Sequence, residues 1–117
     1  MCLYPELDNY DQSSMHYFLI INGEIAANVR ILPKDLKYPE ASIGRVMVVK
    51  KFRGNGYARQ IMLKAIEYVV QEWNENQIRI QAQVHLAKFY SSLGFMQISN
   101  TYLEDEIPHI DMIWERK

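Results

Sequence analysis

The stretch Val48-Val49-Lys50-Lys51-Phe52-Arg53-Gly54-Asn55-Gly56-Tyr57-Ala58 decides how this chain reads, because an apolar β-branched run passes through a glycine-bearing turn straight into a helical pattern. Just upstream, residues 43–49 read as a largely buried central strand. Downstream, Ala58, Ile61, Met62, Ala65, Ile66, Val69, Val70 and Trp73 recur at three and four residues, the stripe of an amphipathic helix. The first N–H groups of such a helix have no partner within it, and Gly54 and Gly56 let a ligand come close to them. The helix dipole adds partial positive charge, and Lys50, Lys51, Arg53 and Arg59 form a cationic rim, so the turn suits a phosphate group. Taken alone, the segment also fits a plain strand-to-helix turn whose glycines only relieve crowding. Two familiar phosphate loops fail: Arg59 stands where a Gly-x-Gly-x-x-Gly pattern needs its third glycine, and Gly-Lys-Ser/Thr does not occur.

Working outward, Tyr17–Ile21 and Ile25–Ile31 flank Asn22-Gly23-Glu24, and Asn-Gly between apolar runs is a strong hairpin signal. After the helix, Ile78, Ile80, Ala82 and Val84 alternate with polar residues, as in a strand with one buried face. A short helix is expected from about Leu86 to Leu93, stopped by Gly94. Phe95 to Leu103 and Ile110 to Glu115 read as a final antiparallel pair joined by the acidic connection Glu104–Pro108. The order β, β, β, α, β, α, β, β places the chain in the α/β (α+β) class, as a mixed, mostly antiparallel sheet with helices on its faces. Residues 1–117 are expected to form a single domain, since 49% apolar residues in 117 can fill one core.

Thirteen basic against fourteen acidic residues leave a net charge of −1, which gives no general field for nucleic acid or anionic membrane, so neither is expected as a partner. A lone Cys2 excludes an intramolecular disulfide and a cysteine-rich zinc site. His16, His85 and His109 lack ligand spacing, and no metal is expected. His85 reads as a cap at the start of the second helix. Apolar runs are too short to span a bilayer and no leader pattern precedes them, so a cytoplasmic protein is expected.

Two motifs give the chain a resemblance. Arg53 to Ala58 spell Arg-x-x-Gly-x-Ala, and Ala87-Lys88-Phe89-Tyr90-Ser91-Ser92-Leu93-Gly94-Phe95 places a tyrosine on a helix ahead of Gly-Phe. Both resemble hallmarks of the GNAT family of N-acetyltransferases. Ile43–Val46, Gln81–Leu86 and Tyr102–Met112 are similar to its ElaA-like branch, which commonly carries Gly where this chain has Glu106. The resemblance implies a GNAT-like domain that binds acetyl-CoA, with its diphosphate on Arg53, Gly54, Asn55, Gly56, Tyr57 and Ala58 and its pantetheine along the backbone of Met47, Val48 and Val49. It implies direct acyl transfer to a primary amine of a small molecule or peptide, with Tyr90 protonating the departing thiolate. Arg45 occupies the place where some members carry a basic carboxylate, and arginine cannot serve as one. Glu104 and His109 are the remaining candidates for the base.

Relatives in this family begin with a further strand and a helix pair, of which the first fifteen residues here resemble only the tail. An N-terminally truncated domain is therefore expected, with the edge of Tyr17–Ile21 paired in a homodimer or covered by Leu3-Tyr4-Pro5-Glu6-Leu7. Truncation makes a non-catalytic acyl-CoA-binding module the alternative to a transferase. Glu104, Asp105, Glu106 and Asp111 lean the acceptor towards a cationic amine.

Overall fold

The computed structural model describes residues 14–117. Strands β1 (Met15–Ile21), β2 (Glu24–Leu32) and β3 (Ala41–Val48) form an antiparallel meander, followed by helix α1 (Tyr57–Glu72). Then come β4 (Gln77–Gln83), helix α2 (Ala87–Ser91), and β5 (Phe95–Gln97), β6 (Tyr102–Glu104) and β7 (Ile107–Glu115). One seven-stranded sheet runs in the order β1-β2-β3-β4-β7-β5, with β6 also pairing β7. Among the described strands only β3 and β4 are parallel, as expected where a helical crossover joins neighbouring strands.

Local chemistry sets the turns. Asn22 and Gly23 take φ of 51° and 80°, the positive pair that a two-residue hairpin turn requires. The acidic connection proves to be the same kind of turn. Asp105 and Glu106 take φ of 51° and 64°, while Glu104 and Ile107 pair across it. The expected single strand from Phe95 to Leu103 is instead two short strands, β5 and β6, both laid on β7. Between them the Gln97 side chain bonds the Ser99 carbonyl and Ser99 turns its hydroxyl to the Asp111 N–H, which breaks the ladder. The second helix is shorter than expected, because Val84–Leu86 forms a turn of 3-10 helix and Leu86, without a side-chain bond, sits at the cap. His85 therefore does not cap α2.

The two faces of the sheet differ. Ala27, Val29, Ile31, Ile78, Ile80 and Met112 alternate onto one face and pack with Ile61, Met62, Ala65 and Val69 of α1 in the main core. The other face is buried yet polar: Asn28, Arg30, Ser42 and Asp111 are all under 9% exposed. There Asp111 is held from two sides. Its Oδ2 accepts from Arg79 Nη2 at 2.5 Å and Nε at 3.0 Å, and its Oδ1 accepts the Tyr102 hydroxyl. Arg79 also lies 3.6 Å from Glu40 and stacks on the Tyr38 ring. This network ties β4, β6 and β7 together where a carboxylate would otherwise be stranded.

β1 is the end strand among the described residues. The segment expected to cover it, Leu3–Leu7, and the thiol of Cys2 lie outside the described residues. No helix among the described residues is long and apolar enough to cross a membrane.

Two expectations follow. A Cβ at Gly94, where φ is +102°, would meet the Trp114 ring at 3.0 Å, whereas one at Gly23 (φ +80°) would meet nothing within 4 Å. Gly94→Ala should cost about 1–3 kcal/mol and clearly more than Gly23→Ala, read as urea midpoints; equal losses would mean that the Trp114 contact is immaterial. Burial first, and then the bond to Asp111, push the Tyr102 phenol up to about 12. The folded protein thus keeps a proton that the unfolded chain loses near pH ~10, so this contribution is full below pH ~10 and fades towards pH ~12. Tyr102→Phe should flatten that part of the alkaline unfolding profile; an unchanged slope would contradict it.

Candidate active site

The site begins with a break in pairing. β3 and β4 pair only at Ala41↔Ile78 and Ser42↔Arg79, and beyond these residues they separate. The cause lies on the other side of β3. Between Asn28↔Met47 and Arg30↔Gly44, β2 spends one residue while β3 spends two, Arg45 and Val46. Arg45 takes φ of 51°, a left-handed conformation uncommon outside glycine, and such a bulge bends its strand. A strand bent this way cannot stay parallel to β4, so a seam opens in the middle of the sheet.

Backbone alternation decides what faces the seam. The Val49 N–H donates to the Ala26 carbonyl at 2.8 Å, so residues 47 and 49 turn their polar groups to β2 and Val48 turns its own to the opening. Of the three residues expected to meet pantetheine, only Val48 presents backbone groups to the seam. Its carbonyl accepts Arg53 Nε at 3.1 Å.

The chain then enters a 3-10 turn at Lys50–Phe52 and the glycine turn ahead of α1. Gly54 and Gly56 take φ of 83° and 77°, and an added Cβ at either would meet nothing within 4 Å. The space over the turn is thus open, and Gly56, the N-cap residue, brings no side chain to the first N–H groups of α1. The Asn55 side chain folds back on the turn: its Nδ2 donates to the Phe52 carbonyl at 3.0 Å and pins it. Of the cationic rim, Lys51 pairs with Glu24 at 2.6 Å, while Arg53 and Arg59 stay at the cleft. Arg59 Nη1 donates to Ser92 Oγ at 2.8 Å and so links the turn to the end of α2.

A cleft of about 710 Å³ runs from this turn to α2, walled by Val46, Val48, Tyr57, Leu86, Phe89 and Tyr90 with Arg53, Gly54, Gly56 and Ala58 at its mouth. Tyr90 packs edge-on between Phe89 and Phe95, with ring centres 5.1 and 6.1 Å away. Burial raises its phenol above the usual value, so the hydroxyl keeps its proton at neutral pH and is a donor. His85, assigned above to a cap, lines this cleft instead; its place in a turn between strand and helix was the available signal.

Tyr90 also borders a second cavity of about 190 Å³, which lies within the seam: Met62 and Ile80 come from the core side, Gln81, Gln83 and His109 from the polar face. The His109 Nδ1 lies 2.7 Å from the Ile107 carbonyl, and the ring stacks on Tyr102. With Nδ1–H donating to that carbonyl, Nε2 is left as an acceptor. Glu104 lines neither cavity and is exposed on the outer strand. Sequence reasoning missed Arg45 as the bulge, although a mid-strand glycine beside it is a recognised bulge signal. It also missed Gln81 and Gln83, which alternation had placed on the polar face. Among the described residues no group of three or more His, Cys, Asp or Glu is arranged to hold a metal ion.

These features have known counterparts. A family model for the acetyltransferase (GNAT) domain matches residues 2–116. Protein ElaA of Escherichia coli is 36% identical over 116 residues, covering 97% of this chain and 76% of ElaA. The crystal structure of Escherichia coli ElaA matches with a TM-score of 0.84 at 35% identity, over 97% of this chain and 78% of that one. An acyl-CoA N-acyltransferase from Pseudomonas aeruginosa matches with a TM-score of 0.86 at 32% identity, over 97% of this chain and 77% of that one. With its parallel strands parted over a glycine turn and the whole sheet matched, the chain belongs to the GNAT family of acyltransferases, in its ElaA-like branch.

Proposed function

We propose that the protein is an acetyl-CoA-dependent N-acetyltransferase that passes the acetyl group directly to a primary amine. One observation carries the reading: a single cleft joins an open glycine turn, the parted edge of β3 and a protonated tyrosine. Each part suits one portion of the coenzyme. The N–H groups at the start of α1, with Arg53 beside them, offer donors and positive charge to a diphosphate. Val48 offers strand-edge groups to the pantetheine amides, once Arg53 gives up the Val48 carbonyl for the diphosphate. Holding both reactants at the seam accounts for much of the acceleration.

In the transfer, the acceptor nitrogen forms a bond to the acetyl carbonyl carbon as the carbon–sulfur bond breaks. Tyr90 gives its hydroxyl proton to the departing thiolate. The proton lost by the nitrogen passes to His109, which lines the cavity that Tyr90 shares and, with Nδ1–H on the Ile107 carbonyl, has Nε2 left to accept it. Glu104, outside that cavity, is the weaker candidate and would act only through intervening water. No covalent acyl-enzyme is needed, so no nucleophilic triad is required. Cytoplasmic residence remains the expectation for a chain of this composition.

Titration calorimetry with coenzyme A and a thiol-release assay with acetyl-CoA and an amine panel test the reading together. Tyr90→Phe should hold coenzyme A as tightly as the parent and lose about a hundredfold or more in kcat. Binding by the parent without turnover on any amine would favour the acyl-CoA-binding module. Arg53→Ala, an exposed change that leaves the positive-φ glycines of the turn in place, should weaken coenzyme A by about tenfold or more; undiminished binding would put the diphosphate elsewhere.

A further inference from the structure

We propose that the acceptor is an amine bearing an anionic group, a carboxylate or phosphate ester, at its far end; this rests on the transferase reading above. Three cavities stand in line. The coenzyme cleft and the seam cavity share Val46, Leu86 and Tyr90, and the seam cavity shares Ile43, Gly44, Arg45 and Gln81 with a third cavity of about 230 Å³. That third cavity lies on the buried polar face of the sheet, beyond Tyr90 as seen from the glycine turn. An acceptor that meets the thioester from the side opposite the glycine turn would have this cavity at its far end.

Its chemistry is one-sided. Arg30, Lys37 and Arg45 line it, with Tyr38, Ser42 and Gln81 as neutral polar partners and, among the described residues, no carboxylate. Arg30 is 4% exposed, so its charge works where water screens little. Arg30 and Arg45 have contacts of their own within the protein, and a guanidinium with five donors can serve a second acceptor. Among the described residues, the acidic groups of the outer turn lie away from this cavity and those nearest to it face Arg79. Asp111 is held by Arg79 and Tyr102, Glu40 faces Arg79, and Glu104, Asp105 and Glu106 line none of the three cavities. The lean towards a cationic acceptor, drawn from those acidic residues in sequence, thus gains no support from where their charges lie.

Guanidinium and ammonium groups select carboxylate and phosphate by charge-assisted bonds, and they repel a second ammonium. A diamine and an amino acid of equal length should consequently part company here. The seam cavity, holding His109 and Tyr90, takes the amine end, and the third cavity takes the anion.

The test uses the whole protein with acetyl-CoA and matched acceptors: glycine, β-alanine and γ-aminobutyrate, the corresponding aminoalkyl phosphates, diamines and uncharged alkylamines. We expect kcat/KM for the best anionic probe to exceed that of its diamine by at least about tenfold. Lys37→Glu, an exposed change that folding should tolerate, and Arg45→Gln should each cut that ratio by about tenfold. The coenzyme A affinity of Lys37→Glu should stay at the parent value. A diamine or plain alkylamine preferred by the parent, or a ratio untouched by Lys37→Glu, would overturn the proposal while leaving the transferase reading intact. Carboxylate against phosphate probes show which anion fits. Calorimetry of the same probes on protein loaded with coenzyme A reads the anion site without turnover. Selective binding of anionic probes with no product sinks the transferase reading alone, and indifferent binding sinks this one.

Discussion

The whole arrangement depends on one backbone constraint, the bulge at Arg45 and Val46. A positive φ on an arginine costs of the order of 1–3 kcal/mol and persists only where its surroundings enforce it. Here β2 enforces it, because Met47 and Gly44 are both registered on that strand with two residues to fit against one. The strain shows up as geometry. β3 swings off β4 after two paired residues, and a sheet that would otherwise be sealed acquires a passage between an apolar face packed on α1 and a polar one. Every functional element named above borders that passage or the turn at its end.

Holding a sheet open at its centre weakens it, and the rest of the molecule compensates. α1 lays a continuous apolar stripe over β2 and β3, and Ile61, Met62, Ala65 and Val69 are essentially inaccessible to water. On the far side of the gap, β4 is paired with β7 along its full length, from Gln77↔Glu115 to Gln83↔His109. The Arg79–Asp111–Tyr102 network then locks β4, β6 and β7 as a unit. The seam is thus the boundary between two well-braced halves, and Arg59 bonded to Ser92 is a side-chain link across the cleft between the glycine turn and α2. A cleft so placed can grip a long ligand along one edge while the opposite wall supplies Tyr90.

Much of this was legible before any coordinates. The hairpin at Asn22-Gly23, the helix from Tyr57 and its apolar stripe, and the glycine turn all follow from local chemistry, and the structure has them where the residues demand. What local chemistry does not encode is competition between partners. The run from Phe95 to Leu103 is apolar enough for one strand, but Ser99 and Gln97 prefer side-chain bonds that interrupt the ladder. The acidic stretch at Glu104 looked like a charged mouth to the site, yet a tight turn spends those residues in solvent, and Asp111 is spent on Arg79. His85 shows the same gap, since a turn of 3-10 helix carried it from a presumed cap into the cleft. Glu106 stands at φ of 64°, a conformation that glycine takes more readily than glutamate.

The account stands or falls on which amide meets the coenzyme. At the end of β3 and just beyond it, the N–H groups of Met47 and Val49 face β2, and that of Val48 faces the seam. Amide hydrogen exchange resolved by residue, with and without coenzyme A, separates these directly. The account predicts that the ligand slows exchange at Val48 and in the glycine turn and leaves Met47 and Val49 nearly as they were. Unaltered exchange at Val48, with protection gathered at some other part of the sheet, would contradict it.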